Sequence, residues 1–569
     1  MFLPTTIEEM KSLGWKQADV ILVSGDVYID SPYDGIALVG KSLLAEGYKV
    51  AIISQPDIRS GKDICRLGEP GLFWGVSAGC VDSMVANYTA LMKKKKSDDL
   101  TPGGINNKRP DRASIVYTNL IKQNFKKTRP IILGGVEASL RRIVHYDYWS
   151  DKIRRSILFD AKADAIIYGM GEKTIIKVAE NIKIGRSIEN IRGVCYISKE
   201  VPEGYIAIPS YEEVKENKAK FAGMFRTFYE NNDPLNASGL VQDHGGRFLV
   251  QNPPQYYLST DELDRINEIE FERDVHPYYK KRGKVKALDT IQFSINSHRG
   301  CFGECNFCSI AVHQGRTIRS RSEGSVVREA KQMIRHPNFK GIISDIGGPT
   351  ANMYGAECQV QHKKGSCKDK RCAFPEKCKA MIIPQNRHAK LLKKVRGLKG
   401  VKKVFIGSGL RYDLIISDDK HGIPYLEDIV EHHVSGQLKI APEHISDKVL
   451  NAMGKPSNEP LMKFKKDFER ISKRKGKNQY LTYYFIAAHP DCNIDHMLEL
   501  RKFLTRELRT EPEQVQVFTP TPSTYATLMY YTGKDPFTGK DLPVEKKLKN
   551  KRKQKDILFN KSGKRNVQK

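Results

Sequence analysis

The 569-residue sequence contains no run of about 18 apolar residues, which excludes a helical membrane span. Its start lacks a basic stretch followed by an apolar one, so no export signal is expected, and a cytoplasmic location is. Without such a signal, eleven cysteines, an odd number, argue against a disulfide framework and for a reducing compartment. Acidic residues are in short supply: 66 Asp and Glu face 95 Lys and Arg, a formal charge of +29. Positive charge suits phosphate backbones, but no recognition motif accompanies it, so nucleic acid is a partner that charge allows and no motif supports. Hydrophobic residues make up 40% of the chain, enough to build the cores of two to four domains.

Three of the cysteines lie together in Gly300-Cys-Phe-Gly-Glu-Cys-Asn-Phe-Cys-Ser309. Cys301, Cys305 and Cys308 can hold three corners of a cubane [4Fe–4S] cluster and leave the fourth iron without a protein ligand. An open iron binds a small molecule, so the site reads as reactive. The alternatives are three structural cysteines or a zinc knuckle short of one ligand, since a closed zinc site takes four. A strand-like run before the loop and a helix-like run after it favour the cluster. Loops of this spacing, with an aromatic residue before the third cysteine (here Phe307), resemble the radical S-adenosylmethionine (SAM) superfamily. A second group, Cys358, Cys367, Cys372 and Cys378, has spacings of eight, four and five residues. It lacks a tight Cys-x2-Cys pair, and an auxiliary cluster, a zinc ion or packed thiols all fit it. Cys65, Cys80, Cys195 and Cys492 are isolated and read as small buried hydrophobes.

Apolar runs predict strands over 20–24, 48–53, 72–76, 113–117, 130–133 and 165–168, with a helix over 35–46. Strands alternating with helices imply an N-terminal doubly wound parallel sheet, with ligands at the carboxyl ends, near Gly134-Gly135 and Gly169-Met-Gly171. The domain is expected over 1–245, with an irregular extension after residue 180, followed by a linker over 246–286. It looks like the cobalamin-binding type of domain, but the Asp-x-His-x-x-Gly signature that supplies cobalt's lower histidine is absent. Cobalamin is therefore not expected.

From residue 287 to 535 the α/β rhythm resumes. Alternating Ile291, Phe293 and Ile295 open a set of six strands, continued over 341–346, 403–406, 437–440, 480–486 and 514–518, with a helix over 323–336. This predicts a (β/α)6 partial TIM barrel of the radical SAM type, with its chemistry at the C-terminal mouth. Residues 536–569 are expected to form a basic, disordered tail: 541–569 carry eleven Lys/Arg against three Asp/Glu.

The strand ends supply candidate ligands for SAM. Gly347 and Gly348 occupy the place of the Gly-Gly-Glu element that binds the SAM amino group through backbone carbonyls, with Pro349 in place of the acidic residue. Arg411, in Gly407-Ser-Gly-Leu-Arg411, suits the carboxylate or ribose, and Glu443, in Lys439-Ile-Ala-Pro-Glu443-His444, suits the ribose hydroxyls. His489-Pro-Asp-Cys492 follows the fifth strand.

The chain as a whole resembles the YgiQ family of radical SAM proteins. The resemblance rests on Ser97-Asp-Asp, Thr101-Pro-Gly-Gly, Lys108-Arg-Pro-Asp-Arg-Ala113, Gly134-Gly-Val-Glu-Ala-Ser-Leu-Arg-Arg142 and His145-Tyr-Asp-Tyr-Trp-Ser-Asp151. Arg154-Arg-Ser156, Gln251-Asn-Pro-Pro254, Ile343-Ser-Asp, Gly347-Gly-Pro-Thr-Ala-Asn-Met-Tyr354, Phe518-Thr-Pro-Thr-Pro-Ser523 and Met529-Tyr-Tyr-Thr532 extend it. It implies an enzyme that takes one electron from an external reductant, cleaves SAM to a 5′-deoxyadenosyl radical and abstracts hydrogen from a substrate that the sequence does not identify. Two rivals remain open: an RNA-modifying methyl- or methylthiotransferase, and a non-enzymatic iron–sulfur or zinc redox protein. The run 145–149, with Arg141, Arg142, Arg154 and Arg155, either clamps an anionic or aromatic ligand or docks the N-terminal domain on the barrel, and docking is favoured.

Overall fold

Val20–Ser24 and Val50–Ser54 are buried at every position, as unbroken apolar runs predict for strands covered on both faces. In the computed structural model, which describes residues 1–559, they pair in parallel with Val20 opposite Val50. Phe73–Ser77 pairs with the other edge of Val20–Ser24, and Ile131–Gly134 and Ala165–Ile167 continue the parallel sheet. The second strand thus lies outside the first, and winding reverses between the first and third. Ligands in such sheets bind beyond the carboxyl ends at that reversal.

Four further strands complete a nine-stranded sheet. Val194–Ser198 pairs antiparallel with Ala165–Ile167, and Phe248–Gln251, Leu240–Asp243 and Ile206–Ile208 follow outward. The stretch after residue 180, expected to be irregular, is therefore largely sheet and helix, and the sheet runs past residue 245 into the expected linker. Short runs separated by Gly and Pro look like surface connectors in sequence, and only partner strands turn them into sheet. The expected strand over 113–117 is instead the start of the helix Ala113–Asn124, which buries Ala113, Tyr117, Leu120 and Ile121 on one face. A short apolar run fits either period.

The second half carries parallel strands at six positions, the second of them split into Ile342–Ile343 and Asp345–Gly347. Ser294–Asn296 pairs with Asp345–Gly347, Ile342–Ile343 with Lys403–Val404, and a Leu410–Ile440 bridge leads to Gln437–Glu443, Tyr480–Ala487 and Gln514–Val517. Among the described residues no pairing joins the sixth strand to the first, so the barrel is open. The expected first strand is shorter than its pattern suggested, because Leu288–Ile291 forms a helical turn. Helices cover the outside; Glu459–Arg474 buries Leu461, Phe464, Phe468 and Ile471 at helical spacing. No helix among the described residues is long and apolar enough to cross a membrane.

The C-terminal segment departs from the expected disorder. Leu548–Phe559 is a helix packed on Ile494–Phe503 and the last two barrel strands, burying Lys551, Gln554 and Leu558 on one face. Gln554 accepts from the Ala488 backbone at 2.9 Å and donates to the Cys492 carbonyl at 3.3 Å. Lys551 donates to the Tyr530 hydroxyl at 2.9 Å and the Tyr148 hydroxyl at 3.2 Å, its ammonium lying against both rings. The segment is poor in apolar residues, but long polar side chains bury their stems and satisfy their heads in buried partners. The part of the expected tail from 560 to 569 lies outside the described residues.

Candidate active site

The cysteine loop leaves the first barrel strand through Gly300, whose φ of +83° and close approach to the Thr317 carbonyl exclude a side chain. The loop is pinned on several sides. Cys308 N–H donates to the Cys305 carbonyl at 2.9 Å, and Asn306 N–H to the Met453 carbonyl at 2.8 Å. The Asn306 side chain donates to the Ala452 carbonyl at 2.8 Å. Gly303 N–H points at the Cys301 sulfur from 3.3 Å. Gly303 has no room for a Cβ: that atom would lie 3.2 Å from Cys301 Sγ, 3.8 Å from Cys305 Sγ and 2.8 Å from Arg411 Nη1. Two thiols and a guanidinium therefore crowd one small volume.

Arg411 reaches the loop from the third strand end. Asp413 holds its Nε at 2.7 Å and also binds Nη2, which leaves Nη1 beside Gly303. Glu443 ends the fourth strand at an irregularity in the register, with φ at +68°, and its carboxylate feels both Arg411 and the Cys308 side. Burial raises the Glu443 pKa, and Lys455, 3.7 Å away, offsets part of the rise. Cys301, Cys305, Cys308, Arg411 and Glu443, drawn from three strand ends, thus come together.

The Gly347–Gly348 pair divides. Ser297 donates to the Gly347 carbonyl from its backbone at 2.7 Å and its hydroxyl at 3.0 Å, which fills both lone pairs. Gly348, not Gly347, faces the open space at the barrel mouth. The carbonyl role expected of Gly347 is therefore already taken within the protein. His298 packs against Gly348, and burial lowers its pKa to about 4.

Burial pushes the Cys301 thiol up to about 11, and the Cys308 thiol higher still. Bare thiolates are disfavoured there, and only a cation among the three sulfurs would hold them ionised. Three thiolates can hold three corners of a cubane, whereas a closed zinc site needs a fourth protein ligand, so the donor set fits an iron–sulfur cluster better than zinc.

Beside this cluster loop lies a feature the sequence did not reveal. A cavity of about 480 Å³ separates the carboxyl ends of the N-terminal sheet from the barrel mouth. Ser24, Ser77 and Gly134 line it from the sheet, at the winding reversal; Asn296, Asp345 and Gly348 line it from the barrel. Arg299, two residues before Cys301, pairs across the domain boundary with Glu172 at 2.8 Å. Asp34 also faces the cavity, and enclosure raises its carboxyl to about 8. His313, just after the cluster loop, is lowered to about 4 by burial and stays neutral. Such a chamber assembles from distant segments, and only the Gly-Gly and Gly-x-Gly turns hinted at it.

The aromatic side chains of the run contact the barrel domain, and its arginines, among the described residues, do not. Tyr146 packs 4.9 Å from the Tyr531 ring and Tyr148 5.8 Å from Tyr530. Arg141 binds Asp82 at 2.6 Å and Asp147 at 3.1 Å, while Arg142 lies between the Tyr168 and Phe228 rings. Arg154 pairs with Asp160 at 2.6 Å and Arg155 covers Tyr211. Tyr146 and Tyr148 thus meet the barrel domain, while these arginine contacts brace the N-terminal domain from within.

Comparison with known proteins agrees with this geometry. A family profile described as "Radical SAM N-terminal" matches residues 2–294, and a "Domain of unknown function (DUF3362)" matches 513–563. A "UPF0313 protein" of Fusobacterium nucleatum subsp. nucleatum is 55% identical over 98% of this chain and 99% of its own length. One from Thermotoga petrophila is 48% identical over 99% of each chain, and one from Methanocella arvoryzae 48% identical over 97% and 92%. Among solved structures, the radical S-adenosylmethionine methyltransferase TsrM from Kitasatospora setae, with cobalamin and a [4Fe–4S] cluster bound, has a similar fold. Its TM-score is 0.54 at 13% identity, over 90% of this chain and 74% of that one. With full-length relatives at this level of identity, the chain belongs to the YgiQ (UPF0313) family of radical SAM iron–sulfur enzymes, a membership that implies a [4Fe–4S] cluster, SAM and an external reductant.

Proposed function

We propose that Cys301, Cys305 and Cys308 hold a [4Fe–4S] cluster and that the protein uses it to cleave SAM reductively, with the substrate in the interdomain cavity. The observation that carries this reading is the convergence of three half-buried thiols, with Arg411 Nη1 against their loop and Glu443 beside them. Held there with one open iron, such a cluster would supply the one electron that breaks a carbon–sulfur bond of SAM, giving methionine and a 5′-deoxyadenosyl radical able to take hydrogen from a C–H bond. Arg411, fixed by Asp413, is placed to neutralise the SAM carboxylate. Glu443 accepts from ribose hydroxyls, and the Gly348 backbone takes the amino group. Asp34 in its enclosed site is a candidate to hold or release a proton near neutral pH. The two domains line the chamber from opposite sides, and excluding water from it would suit a reactive radical.

The test is anaerobic reconstitution followed by reduction with dithionite in the presence of SAM. The expected result is about four irons at this site per chain and formation of 5′-deoxyadenosine. A reconstituted, reduced protein that leaves SAM intact would favour the non-enzymatic redox protein.

A second reading fills the cavity with a corrinoid. It is favoured by the cavity's position at the winding reversal of the sheet and by the fold likeness to an enzyme solved with cobalamin. The histidine that lines the cavity among the described residues, His313, comes from the barrel and not from the N-terminal domain. Retention of one hydroxocobalamin per chain through gel filtration would support this reading; none retained would leave the cavity to the substrate.

A further inference from the structure

The second cysteine group sits in a stretch that regular structure does not explain. Residues 365–380 contain neither helix nor strand, yet the segment lies inside the barrel domain and buries Cys372. Unstructured runs of that length in a compact domain need something to hold them. All four thiols are free, so no disulfide does so.

The backbone draws the four cysteines together link by link. Glu357–Cys358 pairs antiparallel with Met381–Ile382, placing Cys358 opposite Met381. Met381 N–H donates to the Cys378 carbonyl at 3.0 Å, and Cys378 N–H to the Cys372 carbonyl at 2.7 Å. Gln361, three residues after Cys358, donates to the Cys372 sulfur at 3.3 Å. Arg316 holds the Cys367 carbonyl at 3.2 Å while pairing with Glu304 of the first cysteine loop. The thiols also sense one another electrostatically, Cys372 responding to all three others.

The surroundings suit an anionic, polynuclear centre. Phe302, Met353, Ala373 and Met381 form a small apolar core around Cys358 and Cys372, with Cys301 and Cys378 at its margin. Outside that core, residues 358–380 carry seven Lys/Arg against two Asp/Glu, opposing the charge of four thiolates.

We propose that Cys358, Cys367, Cys372 and Cys378 hold a second [4Fe–4S] cluster, with every iron ligated by the protein. It has no open corner for SAM, and it lies across a thin apolar layer from the first cluster loop.

The test is iron, sulfide and zinc analysis, with Mössbauer spectra, of full-length Cys301→Ala/Cys305→Ala/Cys308→Ala protein reconstituted without oxygen. The expected content is about four irons per chain, against about eight in the wild type. No iron, or a single zinc, in a folded triple variant would overturn the proposal. Should that variant fail to fold, Cys367→Ser alone decides: a fall from about eight to about four irons supports the second cluster, and an unchanged count refutes it. The functional reading fails separately, if Cys367→Ser protein with one intact cluster at the first site does not cleave SAM while the wild type does not either.

Discussion

Arg299 Nη1 stands 2.8 Å from Glu172 Oε1, and this buried pair ties the residue before the cluster loop to the Gly169-Met-Gly171-Glu172 turn of the N-terminal sheet. One partner belongs to the barrel and the other to the sheet, so the pair sets how the cavity closes over the site.

Removing one side of the pair should be costly, because the other charge stays buried without a counter-ion. Glu172→Gln and Arg299→Met are each expected to lose about 3–5 kcal/mol of stability. The double variant Glu172→Gln/Arg299→Met should recover much of that loss. Denaturant midpoints for the three variants measure the coupling, and additive losses would show that the two side chains do not act as a pair.

Cys301→Ala, Cys305→Ala and Cys308→Ala should each abolish SAM cleavage and the iron of the first site. Cys65→Ala, far along the chain in the N-terminal sheet domain and exposed, is the silent control. Full activity in any one of the three variants would remove that thiol from the cluster.

Arg411→Lys should keep the iron but weaken SAM binding by roughly tenfold or more, since a lysine cannot grip Asp413 at two points and still present a third donor to the site. Equilibrium binding of SAM to the reconstituted variant measures this. Unchanged affinity would place the SAM carboxylate elsewhere.

What was legible in the sequence follows from what is local. Three cysteines within eight residues carry their chemistry in their spacing, and the six barrel strands appear as separate apolar runs. The nine-stranded sheet was only half legible, because Val194–Ser198 and Phe248–Gln251 are recognisable as strands only when paired with each other. Ala113–Tyr117 was misread because five apolar-rich residues fit two periods, and the choice is made by Ser83 and Glu137, which accept from the N–H groups of Ala113 and Ser114. The cavity was hinted at only by the Gly134-Gly135 and Gly169-Met-Gly171 turns, since Asp34, Arg299 and Asp345 join them only through the fold. Gly347 shows the same limit at the scale of one atom, its carbonyl claimed by Ser297.

The C-terminal helix offers a test with a pH signature. Burial lowers the Lys551 ammonium to about 8, from an ordinary value of 10.5. Between those values the unfolded chain holds a proton that the folded chain has released, so this lysine makes stability rise with pH across that window and leaves it flat below. Lys551→Met keeps the buried stem and removes the titration. The stability of the wild type relative to Lys551→Met should therefore increase from pH about 8 to about 10.5, as read from denaturant curves of the two proteins at matched pH. Deleting the helix altogether, by truncation before Leu548, should destabilise the barrel, because it uncovers Ile494–Phe503 and leaves the Ala488 N–H without Gln554. A truncated protein as stable as the full chain, or a wild type and Lys551→Met pair whose difference is constant with pH, would mean that the helix does not pack on the barrel in solution.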